Sequence, residues 1–314
     1  MKILSPRPWK EWEKAAISEV AGDAVFLEPS LGRKMEALVD EADVLYGFPQ
    51  IPLGVIARSR TLRLMHVPST GVDRFITPEF RASPVILTNS RGVHAKPVAE
   101  HAVALMLALA YNFRQFGRRQ EQRLWQDVQV TRLEGQTAGL LGLGAIGAEI
   151  ARKCRAFDMY VIGVRRSADQ PMANVDRVYP AEDVDEVLRR SDFVLCSLPL
   201  TEETHHLVDY KRFCAMKPSA FFVNVGRGPV VKEEDLVRAL QEGKISGAGL
   251  DVFETEPLPQ DSPLWQMDNV VVTPHCAGHS EKNGRRSLAI LVENLRRLRS
   301  GEPLLNVVDK TLGY

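Results

Sequence analysis

The chain has 314 residues, room for two domains at ~150 residues each. Hydrophobic residues make up 45% and charged residues 25%, which excludes a disordered, collagen-like or disulfide-stapled chain. Lys+Arg at 40 and Asp+Glu at 40 cancel to a formal net charge of +0, so no overall charge draws the chain toward nucleic acid or an anionic membrane.

The first residues, MKILSPRPWKEWEKAA, show no long apolar stretch and no small-residue cleavage site, so no signal peptide is expected. Short apolar runs then alternate with helical patterns. Residues 2–4, 25–27, 44–46, 62–67 and 85–88 read as strands, with helices over 9–20 and 33–40 between them. Such alternation predicts a parallel sheet covered by helices. A long helix is predicted over 97–115, with Pro97 in the first turn, where its missing N–H costs nothing. Its segment AEHAVALMLALAYNF is apolar on nearly every face, which suits a domain core or a subunit interface. The longest apolar run, 102–110, falls far short of the ~20 residues of a membrane helix, so a cytoplasmic protein is expected.

A second set of strands is predicted at 137–141, 160–164, 193–197, 221–225, 247–250 and 270–273, with helices over 145–157, 181–190 and 232–242. That suffices for a six-stranded doubly wound sheet. A last amphipathic helix over 283–300 ends at Gly301. The four cysteines, Cys154, Cys196, Cys214 and Cys276, form no CxxC pair and are expected to be buried, reduced thiols. None of the seven histidines shows HExxH-type spacing, so no metal site is expected.

The segment TAGLLGLGAIGAEIARKC carries the spacing G-x-G-x-x-G between an apolar strand and an amphipathic helix. Gly142 permits the tight turn, Gly144 lets a pyrophosphate approach the backbone, and Gly147 lets the helix pack close to the sheet. The helix N-terminus, opening with Ala145 and Ile146, then offers N–H groups to the diphosphate. At the end of the next strand an NAD site wants a carboxylate for the ribose hydroxyls. Here Arg165, Arg166 and Ser167 stand instead, and guanidinium groups with a hydroxyl suit a 2′-phosphate. The cofactor expected is NADP(H) in preference to NAD(H).

Three further segments follow apolar strands: NVGRGPVV at 224–231, GLDVFETEP at 249–257 and TPHCAGHS at 273–280. Strand carboxyl ends are where open α/β sheets bind ligands. They contribute Arg227, Glu256 and His275, a cation, a carboxylate and an imidazole. In this order, and with VPSTGVDRF at 67–75, VAEHAVALMLALA at 98–110 and SLPLTEETHHLV at 197–208, the chain resembles the D-isomer-specific 2-hydroxyacid dehydrogenase family. That family includes glyoxylate/hydroxypyruvate reductases and phosphoglycerate dehydrogenases, and the resemblance covers nearly the whole chain.

The resemblance implies a catalytic set. Arg227 holds the substrate's carboxylate and carbonyl oxygen, His275 is the acid/base, and Glu256 is its partner. It also implies that Leu198, Pro199 and Thr204 lie along the adenosine side, that Val225 and Asp251 face the nicotinamide, that Gly278 binds the cofactor, and that Thr70 and Gly71 offer N–H groups to the substrate carboxylate. The fold expected is α/β with two domains: a Rossmann-type doubly wound parallel sheet over 98–286, and a smaller, discontinuous flavodoxin-like substrate domain over 1–97 plus 287–314. The substrate expected is a small 2-keto or 2-hydroxy acid, with glyoxylate and hydroxypyruvate as candidates. Tyr46 and Phe48 would serve either as an apolar wall beside it or as core. The helix from about 98 and the arm at 124–135, with Trp125, imply a homodimer. Arg165 and Arg166 depart from the acidic residue of NAD-using members. Formate dehydrogenases carry Gln where this chain has Glu256. Phosphite dehydrogenases share the triad type, and corepressors of the same fold keep the cofactor for binding; these two remain the alternatives.

Overall fold

The computed structural model describes residues 1–30, 33–166, 168 and 170–314. Contacts divide the chain into two units, Met1–His94 with Ser280–Tyr314, and Ala95–His279. The boundaries expected at 97/98 and 286/287 fall a few residues inside two helices, each of which belongs wholly to one unit. These are Ala95–Ala110, whose Val98, Ala102, Leu105 and Leu109 enter the second unit's core, and Asn283–Ser300, whose Leu288, Leu291 and Leu295 enter the first unit's core.

In the first unit the described residues form strands β1 (Lys2–Leu4), β2 (Val25–Leu27), β3 (Val44–Tyr46), β4 (Leu64–Val67) and β5 (Ile86–Asn89). Helices α1 (Glu11–Ser18), α2 (Met35–Val39), α3 (Leu53–Arg58) and α4 (Pro78–Arg81) alternate with them. The strands pair in the order β2-β1-β3-β4-β5, all parallel, which is the flavodoxin-like order. Both faces are covered. Leu4, Leu45, Met65 and Leu87 pack on one side, and Ile3, Val44, Tyr46 and Leu64 on the other. Tyr46 belongs to this core, stacked between Trp9 and His66 with ring centroids 5.9 Å from each. Phe48 instead is exposed, with the Arg74 guanidinium 4.4 Å over its ring.

The second unit opens with α5 (Ala95–Ala110) and α6 (Phe113–Glu121). The single helix expected over 97–115 is therefore two. Asn112 breaks it with φ 53, a left-handed conformation that Asn tolerates better than most residues. There follow β6 (Thr137–Leu141), α7 (Ala145–Arg155), β7 (Tyr160–Val164), β8 (Arg177–Tyr179), α8 (Val184–Arg190), β9 (Phe193–Cys196), α9 (Tyr210–Ala215), β10 (Phe221–Asn224), α10 (Glu233–Gln241), β11 (Gly247–Leu250) and β12 (Val270–Val272). The chain's last helix, α11 (Asn283–Ser300), counts with the first unit.

Among the described residues the sheet has seven parallel strands, ordered β12-β11-β10-β9-β6-β7-β8, rather than six. The unexpected member, β8, is a three-residue edge strand in which only Tyr179 is buried, so it carries no apolar run to betray it. The order reverses between β6 and β9, the doubly wound arrangement with its switch point there. α5 and α7 cover one face; Gly249 in β11 lets α5 approach so closely that an added Cβ would stand 3.0 Å from Leu105 Cβ. Val184, Leu188, Phe213, Leu236 and Leu240 cover the other face. Cys154 and Cys196 are buried, their thiols pushed up to about 12 by desolvation, whereas Cys214 is exposed and Cys276 half-buried, against the expectation for all four. No helix among the described residues is long and apolar enough to cross a membrane.

Candidate active site

The glycine turn sits at the switch point. Gly142 follows β6 with φ +98, and Ser197, following β9, donates its hydroxyl to the Gly142 carbonyl at 3.2 Å. An added Cβ at Gly147 would stand 2.1 Å from that same carbonyl oxygen, so only glycine lets the first turn of α7 approach β6. At Gly144 an added Cβ would meet nothing within 4 Å. Gly144 is also the N-cap of α7, and no side chain caps the helix. The N–H groups of Ala145, Ile146 and Gly147 thus head the helix with its positive dipole end, and space lies in front of them. A dinucleotide's diphosphate fits that cradle.

Beyond β7, Arg165 is half-buried, and its Nε is a buried donor without a hydrogen-bond partner among the described residues. Its terminal nitrogen donates to the Gln170 carbonyl. Arg166 is exposed and lies 4.0 Å from the Glu203 carboxylate. A group with several acceptor oxygens fits this pair. Ser167 lies outside the described residues. On the neighbouring loop Thr204 is already engaged: its hydroxyl donates to the Pro199 carbonyl at 2.7 Å and accepts from the Thr201 N–H at 2.8 Å. It therefore shapes the turn that carries Leu198 and Pro199. Val225 is buried at the end of β10.

The three segments singled out from sequence end adjacent strands. Asn224, which sequence reasoning missed, is buried at the end of β10. Its amide donates to the Arg227 carbonyl at 3.1 Å and its oxygen accepts from the Gly226 N–H at 3.1 Å, so it sets the loop bearing Arg227. A polar residue closing an otherwise apolar strand was the available signal. The half-buried Arg227 guanidinium donates to the Gly226 carbonyl at 2.9 Å.

Glu256 and His275 meet directly: His275 Nδ1 is 2.7 Å from Glu256 Oε2, and the other carboxylate oxygen accepts from the Phe253 N–H at 3.1 Å. The His275 backbone is left-handed at φ 48, held by its N–H donating to the Asp251 carbonyl at 2.8 Å. That leaves Nε2 as the ring nitrogen Glu256 does not touch. His206 Nε2, 2.6 Å from Glu254 Oε1, ties the 201–207 loop to the loop preceding Glu256. Nearby, burial and the Glu254 charge hold the Glu233 carboxyl above its ordinary range.

Asp251 is almost fully buried and gathers the segment after β12. Oδ1 accepts from the Thr273 hydroxyl at 2.6 Å and the Cys276 N–H at 3.0 Å, and Oδ2 accepts from the Ala277 N–H at 2.9 Å. His101 joins this cluster, its Nε2 lying 2.8 Å from the Thr273 hydroxyl and 3.4 Å from Asp251 Oδ1. Nothing in the sequence pairs positions 101, 251, 273 and 276; only the stacking of α5 over β11 and β12 does. Gly278 follows on the same loop, half-buried.

In the first unit, Thr70 and Gly71 occupy the loop after β4. Asn89 Nδ2 donates to the Thr70 carbonyl at 2.7 Å, the Thr70 hydroxyl lies 3.2 Å from His94 Nδ1, and the Ser69 hydroxyl donates to the Gly71 carbonyl at 2.8 Å. The loop's carbonyls and hydroxyls are thereby occupied, while among the described residues the N–H groups of Thr70 and Gly71 donate no hydrogen bond.

A family model for "D-isomer specific 2-hydroxyacid dehydrogenase, NAD binding domain" matches residues 103–277. The chain is 35% identical over 291 residues to glyoxylate/hydroxypyruvate reductase B of Shigella boydii, covering 90% of this chain and 89% of that protein. It is 32% identical over 316 residues to D-3-phosphoglycerate dehydrogenase of Methanocaldococcus jannaschii, covering 98% of this chain but only 59% of that longer protein. Among solved structures, a D-isomer specific 2-hydroxyacid dehydrogenase from Xanthobacter autotrophicus Py2, in complex with NADPH and MES, superposes with a TM-score of 0.86 at 31% identity, covering 100% of this chain and 99% of that one.

Proposed function

The chain belongs to the D-isomer specific 2-hydroxyacid dehydrogenase family, and we propose that within it the protein passes hydride between NADP(H) and a small 2-keto or D-2-hydroxy acid. The observation that carries this reading is the 2.7 Å pair of Glu256 with His275, at the carboxyl edge of the same sheet that bears the Gly142 turn. In the reducing direction a nicotinamide held at this sheet edge would supply the hydride that the keto carbon takes up. Arg227 is assigned to the carboxylate and to the carbonyl oxygen, where a fixed cation stabilises the growing negative charge. His275 delivers a proton to that oxygen from Nε2, while Glu256 fixes the ring and balances the charge of an imidazolium. In the oxidising direction His275 takes the proton back. The N–H groups of Thr70 and Gly71, which donate to no group among the described residues, are assigned to the substrate carboxylate.

The larger unit is assigned to the dinucleotide and the smaller to the substrate. Gly142, Gly144, Ala145, Ile146 and Gly147 would cradle the diphosphate, Leu198, Pro199 and Thr204 would flank the adenosine, and Val225, Asp251 and Gly278 would approach the nicotinamide. Arg165, whose buried Nε has no hydrogen-bond partner among the described residues, and Arg166 support NADP(H) over NAD(H), and the NADPH held by the Xanthobacter relative supports the same choice. The relative named glyoxylate/hydroxypyruvate reductase supports those two keto acids as first candidates. The test is a panel of 2-keto acids, with phosphite in the oxidising direction, assayed with both nicotinamide cofactors. NADPH oxidation with glyoxylate or hydroxypyruvate, faster than with NADH, is expected. Turnover of phosphite alone, or of nothing, would overturn the reading.

A further inference from the structure

We propose that His101, Asp251 and Cys276 form a binding site for a soft divalent cation, with Zn²⁺ as its ligand of choice. The three donors come from α5, the end of β11 and the loop after β12, and one ligand atom from each lies within 4.8 Å of the others. His101 Nε2 is 3.4 Å from Asp251 Oδ1, and Cys276 Sγ is 3.7 Å from the same oxygen. Tetrahedral ligation with Zn–N and Zn–O near 2.1 Å and Zn–S near 2.3 Å sets neighbouring ligand atoms roughly 3.3–3.7 Å apart. Two edges of that tetrahedron are therefore already in place. The third closes with a side-chain shift on the order of 1 Å.

The chemistry of the donors selects the ion. Imidazole, carboxylate and thiolate together suit Zn²⁺ or Co²⁺, whereas Ca²⁺ and Mg²⁺ want oxygen alone. Asp251 is buried and held by the Ala277 N–H on Oδ2 and the Cys276 N–H on Oδ1, the outer support a ligating carboxylate needs. His101 and Cys276 are only partly buried, which leaves an entry path. On binding, the thiol proton leaves to solvent and a sulfur–metal bond forms. The Thr273 hydroxyl, now directed at Asp251 Oδ1, has the Leu250 carbonyl 3.5 Å away as an alternative acceptor. His101 gives up the hydrogen bond from its Nε2–H to the Thr273 oxygen, its proton moves to Nδ1 by exchange with solvent, and the freed Nε2 lone pair binds the ion.

The site bears on catalysis because Cys276 adjoins His275, whose N–H is itself tied to Asp251. An ion that clamps residues 273–277 fixes His275 in its resting position and inhibits. This consequence rests on the reductase reading; the binding does not.

The test is titration of the metal-free full chain with Co²⁺, read by the thiolate-to-metal charge-transfer absorption, and with Zn²⁺ by calorimetry. Cys276→Ser, His101→Gln and Cys214→Ser are compared, each checked for its fold by circular dichroism. Expected are one equivalent per chain, loss of the charge-transfer band in Cys276→Ser, a roughly 10–100-fold weaker Zn²⁺ affinity in Cys276→Ser and His101→Gln, and no change in Cys214→Ser. Zn²⁺ should inhibit NADPH-dependent keto-acid reduction reversibly by chelator, and less so in Cys276→Ser. Absence of saturable binding, or a band that survives Cys276→Ser, overturns the site and leaves only a hydrogen-bonded cluster. A chain that reduces no keto acid yet binds Co²⁺ through Cys276 overturns the reductase reading and keeps the site.

Discussion

Glu256 divides its two oxygens between the Phe253 N–H and His275 Nδ1, so it anchors the imidazole to its own loop. Glu256→Gln retains a group able to hold the ring but removes the charge. A hydrogen bond to a charged partner is worth ~1.5–3 kcal/mol, so kcat should fall roughly 10–100-fold with little change in cofactor affinity. Steady-state kinetics with both substrates varied would check this. His66 offers a second prediction. It is fully buried in the first unit, with Nδ1 2.9 Å from the Thr88 hydroxyl and Nε2 3.3 Å from the Ser90 hydroxyl, and desolvation lowers its pKa from 6.5 to about 4. The folded chain keeps this imidazole neutral, whereas the unfolded chain protonates it below pH 6.5. Its stabilising effect is thus complete above pH 6.5 and is lost as the pH falls toward 4, amounting to about 3 kcal/mol. Thermal melts between pH 4 and pH 8 should show this loss, and His66→Asn should flatten the profile over that window.

At the scale of elements, α7 and its turn separate two roles that the glycines share in sequence. Gly147→Ala forces a Cβ to within 2.1 Å of the Gly142 carbonyl, so it should destabilise the fold by ~1–3 kcal/mol in denaturant unfolding. Gly144→Ala meets open space, so it should leave stability unchanged yet weaken NADPH binding, because its methyl projects where the diphosphate would lie. Equal stability losses in the two variants would contradict this division. This turn was legible because strand, spacing and helix all agree. β6, β7 and β11 could likewise be read residue by residue, each an apolar run buried on both faces. Edge strand β8 and the break at Asn112 were not legible, since the first buries a single side chain and the second depends on one backbone angle. Arg227, Glu256 and His275 could be singled out because each follows a strand. The Asn224 support, the His206–Glu254 tie and the cluster at Asp251 could not, because they join positions distant in sequence.

For the molecule as a whole, the two units answer two questions the chain poses at once. The flavodoxin-like order of the first and the doubly wound order of the second each place their loops of interest at strand carboxyl ends. Phe113, Leu124 and Trp125 stand exposed at and beyond α6, and we propose that a second copy covers them. Light scattering should give twice the mass of one chain; a monomer at micromolar concentration would contradict this. The account turns finally on whether one imidazole moves the proton. The deciding measurement is the turnover number of His275→Ala for NADPH-dependent reduction of the best keto acid, set beside NADPH affinity measured by fluorescence. A loss of ~10²–10⁴-fold in kcat with affinity preserved is predicted. A variant that turns over within about threefold of the parent would contradict it.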